Sequence, residues 1–184
     1  LYDRAATDTD PLFEKIRTDG VGVAGFSQGG HSAKTLVSGS SNGEVEPDDR
    51  IRAVMSNSAW GTGGMPEGVD VPILLVAGED DNFSARFTAA SDLLQMPSDD
   101  RFLVLFDGDG PCVLDNRTCN NVYAQEVQSI VSTAFFDTYL RGHDVYEEVL
   151  TPQYAVGYEK PFGFYQNVET DINGDLRTDF EDFL

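Results

Sequence analysis

An apolar run leading into a serine bracketed by glycines, Val-Gly-Val-Ala-Gly-Phe-Ser-Gln-Gly-Gly over residues 21–30, constrains this chain more than any other feature. Residues 21–24 predict a buried parallel strand, and 31–38, closed by Gly39, predict a short helix. Between them Gly25, Ser27 and Gly29 give the Gly-x-Ser-x-Gly spacing that holds a serine hydroxyl at the top of a sharp strand-to-helix turn. A side chain held in such a turn leaves no room for bulk on either side. Gly25 and Gly29 are therefore expected to flank it for space, and Gly30 to let the helix approach the sheet. Ser27 is the candidate nucleophile.

The chain around this motif has 184 residues and 40% hydrophobic content, enough for one domain with a real core and too little for two full ones. Twelve Lys and Arg stand against 32 Asp and Glu, a formal charge of -20 that argues against nucleic acid or an anionic membrane as partner. No run of about 18 apolar residues is present to span a bilayer, and no basic-then-apolar stretch within the sequence reads as a signal peptide. The start at Leu1 without a Met suggests a cut chain. Cys112 and Cys119 lie seven apart in a polar stretch, with no second pair to complete a four-ligand zinc site. They are open to two readings, a short loop disulfide or two free thiols. The disulfide is the favoured one, and it implies a secreted protein.

Leu12, Phe13 and Ile16 have helical spacing after Asp10-Pro11 and predict a helix feeding the first strand. Further strands are expected over 51–56, 71–77 and 102–106, the last two with the continuous apolar character of strands covered on both faces. Helices are expected over 83–96 and 123–141, the latter stopped by Gly142. About four strands joined by helical crossovers make a parallel sheet flanked by helices, an α/β fold.

This order over residues 1–150 resembles the C-terminal half of the α/β-hydrolase fold. It looks most like the secreted serine esterases related to dienelactone hydrolase, platelet-activating-factor acetylhydrolase and the cutinase-like polyester hydrolases. The points of match are residues 25–30, the Ala59-Trp60 pair and the stretch 72–78 leading into acidic residues. About four strands precede the serine turn in that family, and the 20 residues before Val21 cannot hold them. The resemblance therefore implies a fragment, or a reduced fold, with a second oxyanion-hole N–H supplied from the absent part.

A serine hydroxyl needs a histidine to take its proton and a carboxylate to orient that histidine. The resemblance implies the chain order Ser, acid, His. Its Gly-x-x-Asp pattern lands on Asp81 in Gly78-Glu79-Asp80-Asp81, with Asp80 as the alternative and a plain acidic turn as the bland reading. Where a histidine is expected, the chain reads Asp107-Gly108-Asp109-Gly110-Pro111, and Pro111 cannot accept a proton. His31 and His143 are the two histidines left, one a turn past Ser27 and the other beyond a helix end. The backbone N–H of Gln28 is expected to face the developing oxyanion. The resemblance places Phe26 and Trp60 along the acyl cleft, and Trp60 is equally compatible with a cap over the core. Hydrolysis of a small ester or polyester through an acyl-enzyme, without a cofactor and impaired by Pro111, is the expected activity. The alternative is an inactive binding protein on the same scaffold.

Residues 171–182 place Asp171, Asn173, Asp175, Asp179 and Asp182 at positions 1, 3, 5, 9 and 12 of a calcium-loop spacing. The segment 171–184 resembles half of a dockerin-type repeat, with Leu176 where a glycine usually stands, and that implies a Ca2+ ion and a protein partner reached through this tail. Residues 151–170, with aromatics, Pro161 and glycines, are expected to be a linker or an irregular strand.

Overall fold

A computed structural model describes residues 2–15, 17, 19–59, 70–78, 83–96, 98–106, 122–157 and 163–166. Five strands form one sheet in the order β1 (Val21–Phe26), β2 (Ile51–Asn57), β3 (Ile73–Gly78), β4 (Arg101–Phe106) and β5 (Gly163–Gln166). The first four are parallel and β5 runs antiparallel to β4. The helices are α1 (Tyr2–Ala5), α2 (Gln28–Ser38), α3 (Phe83–Gln95), α4 (Val122–Arg141) and α5 (Pro152–Gly157), with a 3-10 segment over Asp144–Leu150. A mostly parallel α/β architecture is thus what the apolar runs build, and no helix among the described residues is long and apolar enough to cross a membrane.

The two faces of the sheet bury different residues of the same strands. Ala53, Met55, Leu74, Val76, Phe102, Val104 and Phe106 meet α4, whose Ala124, Val127, Val131, Ala134 and Phe135 are buried against them. On the other face Val54, Ile73, Leu75, Ala77, Leu103 and Leu105 pack with Ala33 of α2 and Ala89, Ala90 and Leu93 of α3. Burial on both faces explains why β3 is an uninterrupted apolar run and not an alternating one. On this second face α2 lies over β1 and β2, while α3 lies over β3 and β4. Buried ionic contact between Lys34 of α2 and Asp92 of α3 joins the two helices.

The expected helix is not formed over the described residues 12–15; residues 11–15 are turns. Asp10 Oδ1 accepts the Leu12 N–H as in an Asx turn, and Glu14 adopts φ 54°, a left-handed conformation that ends helical progress. Within 151–170, expected to be a linker or an irregular strand, Pro152–Gly157 form α5 and Gly163–Gln166 form β5, which pairs Phe164 with Val104. Among the described strands β1 is an edge of the sheet. Its Val21 N–H donates to the Arg50 carbonyl and the N–H of Ser27, just beyond the strand, donates to the Asn57 carbonyl, so alternate residues Gly22, Ala24 and Phe26 direct their backbone groups away from β2. Phe136 and Leu140 of α4 lie over Gly22, which places the C-terminal end of α4 at the N-terminal end of the strands.

Candidate functional site

Ser27 sits between the last residue of β1 and the first of α2, at φ 54° and ψ -120°. This is a strained conformation for a residue with a Cβ, costing on the order of 1–3 kcal/mol, and it persists only where the surroundings over-determine it. Two hydrogen bonds do so: the Ser27 N–H reaches the Asn57 carbonyl at 2.9 Å, and the Ser27 carbonyl accepts the His31 N–H at 3.2 Å, closing the first turn of α2. The serine is partly exposed, with Gln28 and Gly29 exposed beside it.

Packing around the turn separates the glycines by role. A Cβ on Gly25 would stand 2.1 Å from the Gly29 carbonyl oxygen and 2.6 Å from the Gly30 nitrogen, both backbone atoms that cannot yield without undoing the turn. A Cβ on Gly30 would meet Ser56 Oγ and the Ala59 Cβ at 3.0 Å, so this glycine lets α2 rest against the end of β2. Gly29, expected to be needed for space, has nothing within 4 Å of the same position. The steric requirement therefore lies on the strand side of the serine, because the chain folds back over β1 and leaves the helix side open to solvent.

The first-turn amides of α2 point along the helix axis from its N-terminus, where the dipole favours negative charge. Gln28 provides the first of these N–H groups, and its side chain is exposed. Phe26 is partly buried at the end of β1, paired in register with Asn57.

Buried polar atoms gather next to this turn. Both side-chain amide atoms of Asn57, Ser58 Oγ and His31 Nδ1 have no hydrogen-bond partner among the described residues. Asn57 is fully buried and Ser58 has φ 43°, a second left-handed residue at the end of the adjacent strand. Each orphaned group of this kind carries a desolvation cost of about 1–3 kcal/mol. Their presence beside Ser27 was not anticipated from sequence; the one signal was a polar Ser-Asn-Ser closing the apolar strand β2.

The two histidines are placed differently. His31 stands on the first turn of α2 and no hydrogen bond joins its ring to Ser27 among the described residues. His143 follows α4 at the opposite end of the sheet, half exposed, with its Nδ1 3.8 Å from Asp137 Oδ2. The sheet thus separates His143 from the serine. A cavity of about 220 Å³ lined by Arg17, Asp19, Gly20, Arg52, Tyr139 and Leu140 also lies at that far end. Its guanidiniums are engaged: Arg17 with Asp19 and the Leu140 carbonyl, and Arg52 with the Asp49 carbonyl.

Trp60, Asp80, Asp81, Pro111, Cys112, Cys119, Asp171, Asn173, Asp175, Asp179 and Asp182 all lie outside the described residues. Among the described residues no group of three or more His, Cys, Asp or Glu is arranged to hold a metal ion.

The class these features define is a mostly parallel α/β protein that carries a strained, partly exposed serine at a strand-to-helix junction on the C-terminal side of its sheet. No family model matches the chain, and no curated protein matches it.

Proposed function

We propose that this protein is a serine hydrolase of the α/β-hydrolase type, built to cleave carboxylic esters through an acyl-enzyme, with turnover impaired by Pro111 at the position of the base. One observation carries the reading: the φ 54°, ψ -120° backbone of Ser27 between β1 and α2, enforced by the Gly29 carbonyl lying where a Gly25 side chain would go. A strained conformation of this kind is kept at a cost in stability and clusters at functional sites. In the proposed reaction Ser27 Oγ attacks the ester carbonyl, its proton passes to a base, and the alkoxide leaves with a proton as the acyl-serine forms. The Gln28 N–H, aided by the α2 dipole, stabilises the oxyanion of the tetrahedral intermediate. Asp81 is assigned to orient the base, and Phe26 and Trp60 to line the acyl side of a small ester or polyester. Lacking a histidine at 111, the chain retains acylation by reactive reagents and loses most turnover.

Incubation with a fluorophosphonate followed by peptide mapping tests this. Slow covalent labelling confined to Ser27, abolished in Ser27→Ala, is the expected result; an unlabelled Ser27 in folded protein rejects it. Pro111→His is expected to raise hydrolysis of a short-chain nitrophenyl ester at least tenfold, and no gain counts against the assignment of position 111.

A second reading is favoured by the absence of any hydrogen bond between either histidine and Ser27 among the described residues. On it, the scaffold is a secreted, catalytically silent binding protein whose tail, through Asp171, Asn173, Asp175, Asp179 and Asp182, takes Ca2+ and docks a protein partner. Silence toward the fluorophosphonate together with a Ca2+-dependent rise in Tm supports that reading over the first.

A further inference from the structure

The helix that starts at Ser27 has little apolar anchorage. The fully buried residues of α2 are Gly30, Ala33 and Lys34, two of them too small to contribute much apolar area, and beside them only the half-buried Val37 adds an apolar side chain to the core contact. The long side chain on this face is Lys34, one of three lysines in a chain of charge -20. Its Nζ meets Asp92 Oδ2 of α3, with side-chain exposures of 4% and 1%. Sheet packing sets α2 over β1–β2 and α3 over β3–β4, so this pair spans the gap between the helices. A buried ion pair is a poor stability device, because well-packed apolar residues of similar volume often do as well or better. Its particular property is directional: two desolvated charges fix the distance between the elements that carry them.

What those elements carry gives the pair its role. Helix α2 leads directly from Ser27, and α3 packs on β3 and β4, the neighbouring half of the sheet. We propose that Lys34 and Asp92 are positioning residues that lock α2 against α3 and so fix the first turn of α2, and with it the Ser27 hydroxyl and the Gln28 N–H, relative to the β3–β4 half of the sheet. The consequence for reactivity rests on the serine-hydrolase reading above; the consequence for the rigidity of α2 does not.

The test is the double variant Lys34→Met with Asp92→Leu in the full chain, followed by Tm, by amide hydrogen exchange of His31 and Ser32, the first amides bonded within α2, and by the rate of fluorophosphonate labelling. A Tm equal to or above that of the parent protein, exchange at these amides at least tenfold faster and labelling at least tenfold slower are expected. Unchanged exchange and an unchanged labelling rate overturn the proposal. Should the parent protein itself resist labelling, the hydrolase reading falls, and exchange at His31 and Ser32 still decides the role of the pair. Should the double variant not fold, Asp92→Asn, which keeps the shape and weakens the charge attraction, is expected to speed exchange at the same amides severalfold, and no change there is equally fatal.

Discussion

The main-chain N–H of Ser27 donates to the carbonyl of Asn57 across 2.9 Å, which extends the β1–β2 ladder one residue beyond the last paired strand residue of β1. That bond holds the serine against the sheet while the chain reverses into α2, and a left-handed φ results. The strain is therefore a property of the junction between two elements, each of which is regular by itself.

Gly25→Ala is expected to cost about 3 kcal/mol or to prevent folding, because its Cβ would lie 2.1 Å from the Gly29 carbonyl oxygen. Gly29→Ala faces open space at a residue inside a helix and is expected to be neutral, or stabilising by about 0.5–1 kcal/mol. Chemical denaturation of the two variants side by side checks the contrast, and equal effects would remove the steric argument for the turn.

Ser27→Gly is expected to raise stability by about 1 kcal/mol over the parent protein, since relief of about 1–3 kcal/mol of backbone strain exceeds the entropic cost of glycine. That corresponds to roughly 2–4 °C in Tm for a domain of this size. Ser27→Ala retains the Cβ and with it the strain, so its Tm is expected to stay near that of the parent. Thermal unfolding of the pair reads the backbone strain independently of any activity.

Gln28→Ala is expected to leave fluorophosphonate labelling of Ser27 within about twofold of the parent rate, because the group assigned to the oxyanion is the backbone N–H and the side chain is exposed. A drop of about a hundredfold, the size seen when an oxyanion donor is removed, would transfer that role to the carboxamide.

Burial first, then its hydrogen bond with Asp100 and the negative charges of Asp100 and Glu147, push the Tyr139 hydroxyl well above the usual phenol range. The folded state therefore holds this proton more tightly than the unfolded chain, whose tyrosines titrate near about pH 10. Its contribution to stability is full below that pH and declines as pH rises above it. Tm measured from pH 8 to 11.5 is expected to fall more steeply for the parent protein than for Tyr139→Phe, and parallel curves would show that Tyr139 titrates like an unfolded tyrosine.

Strands β2 to β4 were legible because strands buried on two faces must be apolar at consecutive positions, and such runs stand out in a chain this acidic, whereas β1, expected to be buried, is an edge among the described strands whose residues are half-buried and whose Ala24 is exposed. The serine turn was legible for a related reason: a strained backbone needs glycine where neighbouring backbone crowds it, as at Gly25. Residues 12–16 misled because Leu12, Phe13 and Ile16 have helical spacing, while a local Asx turn and the left-handed Glu14 decide otherwise. Strand β5 has four residues and a partner about 60 positions earlier, so its composition alone left a linker and an irregular strand equally open. Nothing local marks Lys34 and Asp92, 58 residues apart on two helices, as partners.

By itself the sequence determined the class of fold and the place of the serine, because periodicity, glycine placement and apolar runs are local consequences of how backbone and solvent interact. Tertiary structure decided which glycine is indispensable, that His143 lies at the far end of the sheet from Ser27, that Asn57 and Ser58 are buried beside the turn, and that an ion pair joins the helix of the serine to its neighbour. Those are facts about distances between segments remote in sequence, and they are fixed only when the helices settle on the two faces of the sheet.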